Sequence, residues 1–149
     1  QTKDLGKIGV LIAIESSASS DKLLNFGKKI AMHVAAASPA SVNIDDLSKD
    51  LVDRERKVLV DQAIASGKPE EIAKKMVEGR LRKFYSEVVL MEQIYVVDGE
   101  TRVSDIISKY SKELNEEIKI KSFIRYNIGE GIDKENKNFA DEVAEQLKS

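Results

Sequence analysis

The 149 residues contain no cysteine. That excludes a disulfide framework, a thiol nucleophile and any cysteine-ligated metal, removes thiol redox chemistry, and fits a reducing compartment. There is a single histidine, His33, so no histidine cluster can hold a metal, and tryptophan is absent. Neither sign of charge dominates: 24 basic and 26 acidic residues leave a formal net charge of -2, well mixed along the chain. Without a basic block to track a phosphate backbone, direct nucleic-acid binding is not expected. No apolar run approaches the ~20 residues needed to span a bilayer, and Gln1-Thr2-Lys3-Asp4 has no signal-peptide anatomy, so no membrane association is expected either. The chain does not open on Met and reads as a fragment or a processed product.

The motifs of covalent chemistry are missing as well. There is no Gly-x-Ser-x-Gly elbow, and no histidine is arranged to serve a triad. Gly129-Glu130-Gly131 lacks the third glycine and the helical context of a dinucleotide fingerprint. Gly67-Lys68-Pro69 lacks the upstream glycine and the hydroxyl residue of a phosphate loop, and reads as a turn between helices. Glu55, Asp61, Glu70, Glu71 and Glu78 fall on helix surfaces among lysines, as on a solvated face. His33 follows Ile30 by three residues and Phe26 by seven, which puts it at the edge of an apolar helix face as a core or boundary histidine. The expectation is a non-enzyme with no catalytic, cofactor-binding or metal-binding residue and no cofactor.

What is present is strong periodicity. Residues 7–15 are almost continuously apolar and rich in Ile and Val, which predicts a central strand covered on both faces. Its expected partner is 118–128, where Ile118, Ile120, Ile124, Tyr126 and Ile128 alternate with Lys119, Lys121, Arg125 and Asn127, and Phe123 interrupts the polar side. A helix is expected over 21–37, with Leu23, Ile30, Val34 and Ala37 on one face, Gly27, Ala31 and Ala35 at four-residue steps, and a stop before Pro39. A second helix, capped by Ser48, carries Leu51, Val52, Val58, Leu59, Ala63 and Ala65 to a turn at Gly67. Pro69 suits the first position of the returning helix, whose stripe reads Ala73, Val77, Phe84 and Val88. The seven-residue echoes predict packing as a short antiparallel coiled coil. Gly79 within that helix is about 1 kcal/mol worse than Ala and is ascribed to close packing. Asp98-Gly99 marks a turn, residues 103–110 form a short connecting helix, and Asn138 caps a terminal helix presenting Phe139, Val143 and Leu147. At about 10 residues that helix is marginal alone and must find a surface. The fold class is α+β: a small antiparallel sheet packed with helices, an antiparallel helical hairpin and a C-terminal helix.

The run Ser66-Gly67-Lys68-Pro69-Glu70-Glu71-Ile72-Ala73-Lys74-Lys75-Met76-Val77-Glu78-Gly79-Arg80 resembles the central region of the elongation factor Ts family. Matching segments follow in the family's order: Gly6-Lys7-Ile8-Gly9-Val10-Leu11, Ile30-Ala31-Met32-His33-Val34-Ala35-Ala36, Phe123 to Ile132, and Asn138 to Ala144. The resemblance implies one core or dimerisation domain over 1–149, a protruding hairpin inserted at 48–91, and a C-terminal helical module at 133–149. It implies a guanine-nucleotide exchange factor that promotes GDP release from elongation factor Tu, binding it both GDP-bound and nucleotide-free, in the cytoplasm or an organellar matrix. The sheet would meet the third domain of elongation factor Tu and the terminal helix its nucleotide-binding domain. Phe139, Glu142 and Val143 are the expected partner-binding residues, with docking of Phe139 and Val143 on the chain's own core as the equal alternative.

The family's Thr-Asp-Phe-Val loop and N-terminal helical module are not in this sequence, so weak binding and poor exchange are expected. In the family a further strand precedes Gly6 and pairs in the sheet; without it one sheet edge is bare and open to self-association. The alternative function is therefore a structural module that homodimerises through this edge or the hairpin. A small hydrolase would rest on His33 alone and is disfavoured.

Overall fold

The computed structural model describes residues 6–67 and 69–130. The apolar runs at the two ends of this stretch form two strands, β1 (Ile8–Ser16) and β2 (Ile118–Asn127), paired antiparallel from Ile8 opposite Asn127 to Ser16 opposite Ile118. Between them lie four helices: α1 (Ser20–Ala37), α2 (Lys49–Ala65), α3 (Glu70–Val88) and α4 (Val103–Leu114). The α+β class is as expected, with helices packed on a small antiparallel sheet.

Helix α1 crosses the inner face of β1 and supplies Phe26, Ile30 and Val34 to the main core, where they meet Val103 and Ile107 of α4 and Ile118 and Ile120 of β2. The rings of Phe26 and Tyr110 pack 4.7 Å apart. Close approach of α1 to the strand explains Gly27, since a Cβ there would sit 3.3 Å from Ile14 Cδ1. Of the predicted α1 face, Ile30 and Val34 are fully buried, whereas Leu23 and Ala37 sit at its margin. The helix closes at Ser38, whose left-handed backbone (φ 48°) lets its N–H bond the Val34 carbonyl just ahead of Pro39.

Helices α2 and α3 form an antiparallel hairpin that turns at Gly67, left-handed at φ +65°. Pro69 stands one place before α3, at its N-cap and not at its first helical position, and Ser48 occupies the α2 N-cap with no side-chain capping bond. The seam is Leu59 and Ala63 against Val77 and Leu81, flanked by Ala73 and Tyr85. It takes Leu81 and Tyr85 where Phe84 and Val88 were expected, so the face turned toward α2 follows the four-residue row 73, 77, 81 and 85 and not the seven-residue echo. Gly79 is not explained by close packing, because a Cβ there would meet nothing within 4 Å. At the root of the hairpin, residues 40–42 and 88–91 lie side by side, with Ala40 N–H bonded to the Val88 carbonyl and Leu90 N–H to that of Ser41.

Two further expectations are corrected. The helix expected over 103–110 runs on to Leu114 and is part of the core, with Val103 fully buried, so it is more than a connection. The strand β1 is covered on one face only: Val10, Ile12 and Ile14 are half-buried toward α1, and the residues between them are exposed. The sheet has two strands among the described residues.

Candidate functional site

The outer face of the β-ribbon is built by a register change. Ile14 pairs with Ile120 but Ala13 pairs with Ser122, so Lys121 is an extra residue in β2, a β-bulge. On its N-terminal side Ile118 and Ile120 face the core; beyond it the inward positions pass to Phe123 and Arg125. The five apolar residues predicted to share one face of β2 are therefore split. Phe123, which interrupted the expected alternation, packs against the core. Arg125 turns inward, its Nε donating to the Ala35 carbonyl at 3.3 Å and its guanidinium reaching Glu130 at 3.8 Å.

The same flip places Ile124 and Tyr126 outward, where Ile124 lies directly opposite Leu11 and Tyr126 opposite Gly9. Leu11 is 67% exposed, Ile124 48%, Tyr126 68% and the following Ile128 73%. Four large apolar side chains on one open strand pair form a contiguous patch, the kind of surface that marks an interaction site. One end is closed by charge: Lys121 meets Glu15 at 3.6 Å and Lys119 meets Glu117 at 2.9 Å, a contact that holds the Lys119 ammonium above its ordinary pKa. A groove of about 410 Å³ runs between β1 and α1, lined by Val10, Leu11, Ile14, Leu24 and Ala31. A second exposed apolar group, Ile94, Val96 and Val97, lies on the loop that leads to α4. Sequence alternation alone missed the outer face, and the out-of-place Phe123 was the signal that could have found it.

His33 takes part in no such surface. It is fully buried, with Nε2 2.9 Å from Gln93 Oε1 and Nδ1 accepting the Val96 N–H at 3.2 Å. Burial holds the imidazole below its ordinary pKa, partly offset by the Gln93 bond. Among the described residues no group of three His, Asp or Glu side chains could hold a metal ion, and no helix is long and apolar enough to cross a membrane. Phe139, Glu142 and Val143, with the terminal helix expected to carry them, lie outside the described residues.

Comparison with known proteins agrees with the outline. Residues 2–130 match the family model described as Elongation factor TS. The chain is 56% identical over 144 residues to Elongation factor Ts of Rhodospirillum rubrum, covering 97% of this chain and 47% of that protein. It is 53% identical over 141 residues to Elongation factor Ts of Rhodospirillum centenum, covering 95% and 46%, and 49% identical over 139 residues to that of Magnetococcus marinus, covering 93% and 46%. The chain thus spans about half the length of these relatives.

Proposed function

The chain belongs to the elongation factor Ts family, and on that premise we propose that it is the part of a guanine-nucleotide exchange factor that grips elongation factor Tu. The family match over residues 2–130 carries this reading. An exchange factor forms no covalent bond. It binds one state of its partner more tightly than another, and linkage makes its binding and GDP binding oppose each other. Each tenfold gain in GDP release requires about 1.4 kcal/mol of differential stabilisation, which must come from contact surface. The exposed face of Leu11, Ile124, Tyr126 and Ile128 supports the reading, because it offers apolar area of the required kind.

On this reading 1–149 is one core domain, with the hairpin of 48–91 inserted in it as a coiled coil and a helical module over 133–149, working in the cytoplasm or an organellar matrix. Phe139, Glu142 and Val143 contact elongation factor Tu. Because the sequence has no Thr-Asp-Phe-Val loop, the stretch binds elongation factor Tu weakly, whether GDP-bound or nucleotide-free, and exchanges poorly. The exposed apolar ribbon face, with a two-stranded sheet among the described residues, favours a second reading, a homodimerising module without exchange activity.

Light scattering on a sizing column, with the chain alone and then with nucleotide-free elongation factor Tu, tests both. A mixed complex dissolved by GDP is expected; a lone dimer indifferent to elongation factor Tu would support the second reading. In the same assay Phe139→Ala should reduce capture with little change in Tm. A large fall in Tm with capture intact would place Phe139 on the chain's own core.

A further inference from the structure

His33 joins parts of the chain that are distant in sequence. Gln93 Nε2 donates to the Glu87 carbonyl at 2.7 Å, in the last turn of α3, and to the Ala37 carbonyl at 3.4 Å, at the end of α1. With both amide hydrogens committed to carbonyls, Gln93 presents only its Oε1 to the imidazole, so Nε2 of His33 carries the proton. Nδ1 is then a bare acceptor, and the Val96 N–H fills it at 3.2 Å. Each donor has an acceptor, and the arrangement admits only the neutral ring. No buried side-chain nitrogen or oxygen among the described residues lacks a partner.

The Val96 bond is special within its loop. Tyr95 N–H bonds the Thr101 carbonyl, Gly99 N–H bonds the Tyr95 carbonyl, and the Asp98 carboxylate accepts from the Glu100 and Thr101 N–H groups. Those bonds shape the turn internally. Among the described residues, Val96 to His33 is the hydrogen bond that fastens the turn to α1. We propose that His33 is the latch of the 94–99 loop: the neutral ring holds the exposed apolar Val96 and Val97 in one orientation, and protonation of Nδ1 releases them. A proton on Nδ1 sets two N–H donors face to face, while the Nε2 bond to Gln93 survives, so Val96 and Val97 lift while Tyr95, buried in the core, and the rest of the network stay in place.

The surrounding titratable groups do not replace this control. The Tyr95 ring lies 5.9 Å from the imidazole, centroid to centroid. From α3, Glu87 gives its backbone carbonyl to Gln93 and its carboxylate reaches Lys83 at 4.0 Å; Glu92 pairs with Arg102 at 3.4 Å. Asp98 is held below its ordinary pKa by the backbone N–H groups of Glu100 and Thr101, and Lys29 lies one turn earlier on α1. None of these side chains hydrogen-bonds the ring.

The chain has one histidine, so its imidazole resonances need no assignment by mutation. The experiment follows His33 by NMR from pH 7.5 to 5.0 and, in parallel, the hydrogen-exchange protection of the Val96, Ile30 and Leu90 amides. Val96 is expected to lose about tenfold or more of its protection in step with the His33 titration, the scale of one lost hydrogen bond, while Ile30 and Leu90 lose distinctly less. His33→Asn, whose Oδ1 stands in for Nδ1 and does not titrate, should keep Val96 protected across the range. Val96 protection unchanged through the His33 titration overturns the latch. So does a fall in Ile30 and Leu90 protection as large as that of Val96 at the same pH, which would make His33 a support of the whole fold.

Discussion

Residue identity decides stability most visibly where a side chain is missing or can change charge. Gly79 lies inside α3 on an exposed surface, and an added Cβ meets nothing within 4 Å. Gly79→Ala should therefore stabilise the protein by about 0.5–1 kcal/mol through reduced freedom of the unfolded chain, seen as a higher thermal midpoint. Gly27→Ala is the control, since its Cβ would press on Ile14 at 3.3 Å and should give no such gain. His33 adds a pH dependence of definite sign. Its folded pKa lies below the ordinary 6.5, so the unfolded chain binds the proton more readily. The stability tied to the neutral ring is fully present above about pH 6.5 and is lost as pH falls through the folded pKa. Melting curves from pH 7.5 to 5.0 should show the wild type losing more of its midpoint than His33→Asn; equal slopes would mean that the imidazole contributes nothing.

At the level of elements, helix and strand positions were legible because their signals are local. The periodic stretch at 21–37, the Gly67 turn and the two apolar runs each specify an element from neighbouring residues, and α1, the hairpin and both strands lie where those signals put them. Which face each element presents was less legible, because that depends on contacts far along the chain. The seam at Leu81 and Tyr85 is chosen by α2, and the reversal of β2 is chosen by one unpaired residue, Lys121. Period-two alternation cannot reveal a bulge except through a misplaced residue such as Phe123. Of the candidate site, family resemblance proposes Phe139, Glu142 and Val143, which lie outside the described residues, and the outer ribbon face was not legible, because it depends on the bulge. The bulge can be tested by deletion. Removing Lys121 leaves Ile120 opposite Ile14 and Ser122 opposite Ala13 in an uninterrupted ladder, with every other side chain on its present face. The deletion should fold with a stability change within about 1 kcal/mol. Deleting Ile124 should unfold the sheet, because each residue on one side of the gap would be turned to the wrong face. Equal damage from both deletions would show that Lys121 is not the inserted residue.

For the whole molecule, the central fact is the exposed apolar ribbon face of the described residues. Leu11 and Ile124 sit directly opposite each other at its centre. Burying them against another surface would contribute roughly 25 cal/mol for each Å² of apolar area removed from water, whereas leaving them exposed promotes unspecific association. Replacing both as a pair, Leu11→Glu with Ile124→Lys, sets opposite charges across the strands and so retains a favourable cross-strand contact while removing the apolar patch. Because neither side chain contributes to the described core, the thermal midpoint should move little. Capture of nucleotide-free elongation factor Tu and any concentration-dependent self-association should both fall by about tenfold or more, the loss expected when a central interface contact worth over 1.4 kcal/mol is removed. If self-association disappears but capture survives, the ribbon joins copies of the chain and the partner is held elsewhere, with the segment bearing Phe139 and Val143 the next to vary. If both survive, the open face has no binding role, and the hairpin flank around Val60 and Ile64, also apolar and exposed, becomes the surface to charge next.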